Sequence, residues 1–279
     1  MDLTSRREVL RLAGAITLGL PGSTALAQGE PPGQLGCPRK VKIVVAGGHP
    51  GDPEYGCGGT IARYTDLGHE VVILYLNRGE LGVPGKSYEE AGAIRFAESQ
   101  KSCDILKARA VYAGQFHGRV VVDQAHFDSF HKLLAAEQPD LVFTHWPIDN
   151  HSEHSMMTSL VCEAWQRTGK KFTLYYYEVT TGEDTLQFRP THYVDIAAVA
   201  VRKRAACFAH RSQLPDKYYA LQEEIGRFRG LESGCEQAEG YVRHVQSPDF
   251  QLPLVQVRRQ SDRGPNICHP RRLSQRAKR

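Results

Sequence analysis

The 279-residue chain is 41% hydrophobic and 24% charged, with 26 glycines and 15 prolines, an ordinary globular composition that excludes a collagen, a coiled coil and wholesale disorder. Its net charge of +4 is unevenly spread, because Arg258 to Arg279 is Arg-rich while residues 28–253 are mildly acidic. A nucleic-acid face needs Lys and Arg clustered on the folded body, so no nucleic-acid partner is expected. No run of 18 apolar residues suggests a membrane span.

Read in chain order, Arg6-Arg7, an apolar run to Leu20 and Ala25-Leu26-Ala27 have the form of a twin-arginine export signal over residues 1–27. A periplasmic or secreted location is the expectation. Pro31, Pro32 and Gly33 mark a linker over 28–39. An α/β domain is then expected over 40–250, followed by a basic tail over 251–279. Val41–Ala46 reads as a buried strand, Gly58–Leu67 as a helix and Glu70–Leu76 as a second buried strand. A long helix follows over Tyr88–Leu106, then a short strand at Val111-Tyr112 and a helix over Phe127–Ala136. Leu141–Thr144 is another strand, with a helix near His154–Gln166. Strands at Phe172–Val179 and Tyr193–Ile196 and helices over Ala197–Ser212 and Lys217–Cys235 complete the pattern. Strands alternating with helices predict a mostly parallel sheet covered on both faces. The run Tyr175-Tyr176-Tyr177 reads as core rather than as a sugar-stacking surface. The seven cysteines are scattered without a C-x-x-C pair, which is neither a disulfide framework nor a zinc finger.

Ligands of open α/β sheets bind beyond the carboxyl ends of the strands. Three polar clusters fall there: His49-Pro50-Gly51-Asp52-Pro53-Glu54, Asn77-Arg78-Gly79-Glu80 and Asp149-Asn150-His151-Ser152-Glu153-His154. The glycines do not give G-x-G-x-x-G, which argues against a dinucleotide site. His49 and Asp52, like His151 and His154, stand three residues apart, and two imidazoles with a carboxylate make a catalytic zinc environment. On spacing alone, Glu54 or Asp149 could replace one of these ligands.

The series HPGDPEYGCGGTIA, RGELG, Arg95-x-x-Glu98 and PIDNHSEH resembles the PIG-L/LmbE family of zinc-dependent N-acetylglucosaminyl deacetylases over roughly residues 41–212. The resemblance implies a Rossmann-like fold and a hydrolase, which the signal over residues 1–27 would send for export. Such an enzyme removes an N-acyl group, N-acetyl foremost, from an amino sugar or similar amide, so its partner is a small-molecule or glycan substrate. It also implies Zn2+, or another divalent ion suited to His and carboxylate, on His49, Asp52 and His154. His151 would then face the oxyanion and the leaving group. Glu153 stands where the family has Asp and would orient a histidine. Glu80 and Arg95 match positions at the sugar pocket and its supporting network, and His210 reads as structural. Gly51 replaces the Asp that serves the family as general base. Asp149, then Glu54, are the expected stand-ins; otherwise His151 acts with the metal alone, or the chain is a metal-binding, catalytically weak relative that binds glycans.

Overall fold

A computed structural model describes residues 39–248. The expected export signal (1–27), the linker up to residue 38 and the basic tail (251–279) lie outside the described residues.

Seven strands form one sheet in the order β3-β2-β1-β4-β5-β7-β6. Here β1 is Lys42–Gly47, β2 Glu70–Tyr75, β3 Arg109–Tyr112, β4 Leu141–His145, β5 Thr173–Tyr177, β6 His192–Asp195 and β7 Ala238–Arg243. Strands β1 to β5 pair in parallel, and β7 runs antiparallel to both of its neighbours. The helices are α1 (Asp52–Asp66), α2 (Tyr88–Leu106), α3 (Gln124–Glu137), α4 (Ser152–Arg167), α5 (Ala200–Cys207) and α6 (Pro215–Ser233). This is the mostly parallel α/β architecture that the alternating pattern predicts.

Each buried strand feeds two cores because successive side chains point to opposite faces. Ile43, Val45, Ile73, Tyr75, Phe143 and Tyr177 pack with residues of α1, α2, α5 and α6. Val44, Ala46, Val72, Leu74, Val142 and Leu174 pack with residues of α3 and α4. Tyr175, Tyr176 and Tyr177 are all core, and the Tyr177 hydroxyl donates to Ala46 O at 2.9 Å. No helix among the described residues is long and apolar enough to cross a membrane.

Three elements differ from expectation. Helix α1 begins at Asp52 rather than Gly58, since Gly51 caps it, Pro53 opens it and the Glu54 carboxylate returns to the Gly51 amide. Its glycines are there for packing: a Cβ on Gly56 would lie 2.4 Å from Tyr177, and one on Gly59 2.5 Å from Ile196. The expected helix over 197–212 is shorter, α5 being flanked by single 3-10 turns at Ala197–Val199 and Arg211–Gln213. Strand β7 has no apolar run to announce it. Its buried Glu239 accepts from the Gly59 and Thr60 amides, each at 2.8 Å, and from Lys203 Nζ at 2.6 Å.

Candidate metal centre and active site

Strands β1 and β4 are parallel neighbours, and the chain crosses to opposite sides after them, so their carboxyl ends border a crevice. The loop after β1 carries His49 and runs into α1; the loop after β4 carries Asp149 and His151 and runs into α4. Both helix N-termini therefore face the crevice, a favourable setting for the acidic residues Asp52 and Glu153 in their first turns. Gly48 permits the approach of the two loops. A Cβ there would meet His154 Cδ2 at 3.0 Å and Asp52 Oδ2 at 3.2 Å.

His49, Asp52 and His154 come together, with one ligand atom of each within 4.8 Å of the others. Asp52 Oδ2 lies 3.2 Å from His49 Nδ1 and 3.1 Å from His154 Nε2. The far nitrogen of each ring meets a carboxylate: His49 Nε2 and Glu153 Oε2 are 2.8 Å apart, His154 Nδ1 and Asp149 Oδ1 3.1 Å. Those carboxylates hold a proton on Nε2 of His49 and on Nδ1 of His154, which leaves both inner nitrogens to aim a lone pair at one point. Donors of a tetrahedral zinc ion at about 2.0–2.1 Å stand about 3.3 Å from one another, so the residues present fit such an ion.

The electrostatics point the same way. Burial disfavours charge on His154, yet Asp52 and Asp149 outweigh it and hold the ring's pKa up to about 10. His49 is also raised, Asp52 and Glu153 overcoming its burial, while the two histidines hold Asp52 well below the usual carboxylate range. The cluster thus draws protons onto nitrogens that a divalent cation would otherwise engage. His145 stacks on His154 with ring centroids 4.0 Å apart, and burial with the His154 charge pushes it down to about 4. Its Nε2 accepts from the Gly48 amide at 3.0 Å, so it holds the β1 loop.

Neither expected substitute for the missing Asp stands ready as a base. The Asp149 side chain is fully enclosed, with Oδ1 on the His151 amide and His154 Nδ1 and Oδ2 on the Thr185 hydroxyl. It positions His154. Glu54 is buried behind the loop, accepting from the Tyr75 hydroxyl at 2.6 Å, His210 Nε2 at 3.0 Å and the Gly51 amide at 3.1 Å. It positions Gly51, and His210 is structural, as the sequence suggests. Gly51 itself has φ 114° and ψ −42°, a conformation that L side chains rarely adopt.

His151 is half-buried between the two candidate ligands, 4.6 Å from the His49 ring and 4.7 Å from the His154 ring. Burial and the neighbouring histidines lower its pKa, so the ring is neutral near neutral pH, and its Nδ1 is buried without a partner among the described residues. Glu153 orients a histidine as expected, and that histidine is His49; it also accepts from Asn77 Nδ2 at 2.8 Å and the Gly118 amide at 2.6 Å. Glu80 borders the crevice, where it accepts from the His117 amide at 3.2 Å. Arg95 does not line the pocket. It is 4% exposed, packs against Gly79 and Gly82, and donates through Nη2 to Pro50 O at 2.5 Å, holding the HPGD loop from behind. Nor does it pair with Glu98, which accepts from the Ser212 amide and hydroxyl.

One residue of the cluster escapes a sequence reading. His117, in the segment between β3 and α3, lies 4.5 Å ring to ring from His49 and 6.2 Å from His151. Burial and the His49 charge push its pKa down to about 4. A lone histidine in a loop carries no spacing signal, so only the fold reveals it.

Comparison with known proteins agrees with the geometry. The family model for PIG-L, the GlcNAc-PI de-N-acetylases, matches residues 44–165, a span that contains the three candidate ligands and His151. Residues 44–165 are thus similar to the PIG-L family. A diacetylchitobiose deacetylase of Thermococcus kodakarensis is 27% identical over 217 residues, covering 71% of this chain and 81% of the relative. The N,N'-diacetylchitobiose deacetylase of Pyrococcus horikoshii shares the fold with a TM-score of 0.64 and 23% identity, over 73% of this chain and 83% of that one. GalB of Pseudomonas putida KT2440, a 4-carboxy-2-hydroxymuconate hydratase, does so with a TM-score of 0.65 and 21% identity, over 76% and 99%. A fold shared by a hydratase and a deacetylase does not by itself choose a chemistry; the residues at the crevice do.

Proposed function

We propose that the chain is a zinc-dependent hydrolase that removes the N-acetyl group of N-acetylglucosamine-type sugars. The observation that carries this reading is the pair of imidazoles, each backed by a carboxylate, converging on Asp52 Oδ2. His49, Asp52 and His154 would hold the ion, which supplies a Lewis acid for the acyl oxygen and acidifies water. Glu153 and Asp149 keep the two imidazoles in the ligating tautomer. With Gly51 unable to accept a proton, His151 takes over proton transfer. Its Nε2 removes the proton of the attacking water as the new C–O bond forms. The same nitrogen returns that proton to the amine as the C–N bond breaks, so the amino sugar and acetic acid, which ionises to acetate in water, leave with the ring restored. A neutral imidazole suits this double role near neutral pH.

The glycan-binding alternative, without turnover, has no feature of its own in the site. Elemental analysis and acetate release from N-acetylglucosamine and N,N'-diacetylchitobiose test the choice. The wild type is expected to hold one zinc per chain and release acetate; His154→Ala loses both, and His151→Ala keeps zinc while turnover falls 10²- to 10⁴-fold. Full zinc in His154→Ala overturns the ligand set. Export by the twin-arginine route remains part of the proposal, supported by the sequence of residues 1–27 and tested by Arg6→Lys/Arg7→Lys with cell fractionation.

A further inference from the structure

The segment between β3 and α3 is fastened at three points. The His117 amide donates to Glu80 Oε2 at 3.2 Å, the Gly118 amide donates to Glu153 Oε1 at 2.6 Å, and the Leu81 amide donates to His117 Nδ1 at 3.3 Å. The last contact sets the chemistry of the ring. A backbone amide can only donate, so Nδ1 must offer its lone pair, and the neutral imidazole carries its hydrogen on Nε2. That Nε2 has no partner among the described residues and is not among their buried unpartnered atoms, so the hydrogen is open to a ligand. One ring nitrogen each of His49, His117 and His151 lies within 4.8 Å of the others, a grouping that invites a second metal ion. The Leu81 amide opposes it, because ligation through Nε2 would put a hydrogen on Nδ1, directly against another donor.

We propose that His117 is a catalytic hydrogen-bond donor, its Nε2–H directed at the acyl oxygen of the substrate amide. The inference rests on the deacetylase reading above and extends it to a second imidazole. An acyl oxygen polarised by an ion on His49, Asp52 and His154 would lie close to those ligands, and His117 packs on the ring of one of them, 4.5 Å from His49. The bond strengthens as the oxygen gains charge in the tetrahedral transition state. It is worth most there because the donor is held in place beforehand by Leu81 and Glu80. The donor keeps its proton throughout, so His117 adds nothing to the proton balance already assigned to His151.

The test uses the zinc-loaded protein with N,N'-diacetylchitobiose, together with nitrogen-15 NMR of the ring. In His117→Asn, whose amide reaches only the place of Nδ1, kcat is expected to fall 10²- to 10³-fold with KM and zinc content unchanged. His117→Gln, which carries an N–H near the place of Nε2, recovers at least tenfold of that loss. The NMR signature expected is the Nε2–H tautomer. An Nδ1–H tautomer, a fall in zinc content, a rise in KM at constant kcat, or full turnover in His117→Asn each overturns the proposal. A wild type that holds zinc, shows the Nε2–H tautomer and yet releases no acetate overturns the deacetylase reading instead.

Discussion

Gly51 occupies the position where a general base would be sought, so replacing it separates backbone need from missing chemistry. At φ 114° and ψ −42° the residue lies where a Cβ strains the backbone, although the nearest atom to that Cβ would be His210 Cγ at an ordinary 4.0 Å. The penalty is therefore conformational and not steric. Such strain costs about 1–3 kcal/mol, offset by about 0.4–1 kcal/mol from a stiffer unfolded chain. Gly51→Ala should accordingly lose about 1–2 kcal/mol, which for a domain of this size lowers Tm by roughly 2–8 °C. Gly51→Asp should be destabilised similarly and should not raise turnover, because its carboxylate arrives only by moving the backbone between His49 and Asp52. Denaturant titration, thermal melting and acetate release measure all three quantities. If Gly51→Ala melts with the wild type and Gly51→Asp gains tenfold or more in kcat, the glycine is a lost base and not a required turn.

Two further outcomes follow from the same geometry. Asp149→Asn and Glu153→Gln each weaken the carboxylate that fixes a histidine tautomer, and each should reduce zinc affinity about 10- to 100-fold in competition with a chelator; unchanged affinity in both would remove the orienting role. In the metal-free protein, His154 has its pKa raised to about 10 from an unfolded 6.5. Its contribution to stability is then complete below pH 6.5 and lost as pH rises through 10, a change on the order of a few kcal/mol. Zinc-loaded protein should lack this alkaline decline, since the ion replaces the proton. Chelator-treated protein equally stable at pH 7 and pH 10 would contradict the assignment.

Much of the fold is legible because β1, β2, β4 and β5 are continuous apolar runs, and Ser87 with Glu90 forms a capping box at the start of α2. Strand β7 is hidden because Glu239, Gly240 and Arg243 break the apolar pattern, and Glu239 earns its burial from Lys203 and α1, far away in sequence. The three candidate ligands are readable since each lies just past a strand end, where loop position and residue type coincide. What spacing does not convey is the direction of a side chain. Asp149 and Glu153 flank the same histidines, yet one serves His154 and the other crosses the crevice to His49. Arg95 lies on a helix that passes behind the pocket, so its match to a sugar-site position misleads about its exposure. His117 reaches the cluster only because its segment is tied to Glu80, Leu81 and Glu153.

The placement of β7 also bears on how the molecule is made. The last strand of the described residues to leave the ribosome is inserted between β5 and β6, so β5 keeps an open edge until residue 243 has emerged. A product truncated before Ala238 would present that edge, with its row of tyrosines, as a template for pairing with other chains. Such fragments should collect as aggregates, while β1 and β4, which already have neighbours on both sides from earlier in the sequence, could assemble the crevice before translation ends.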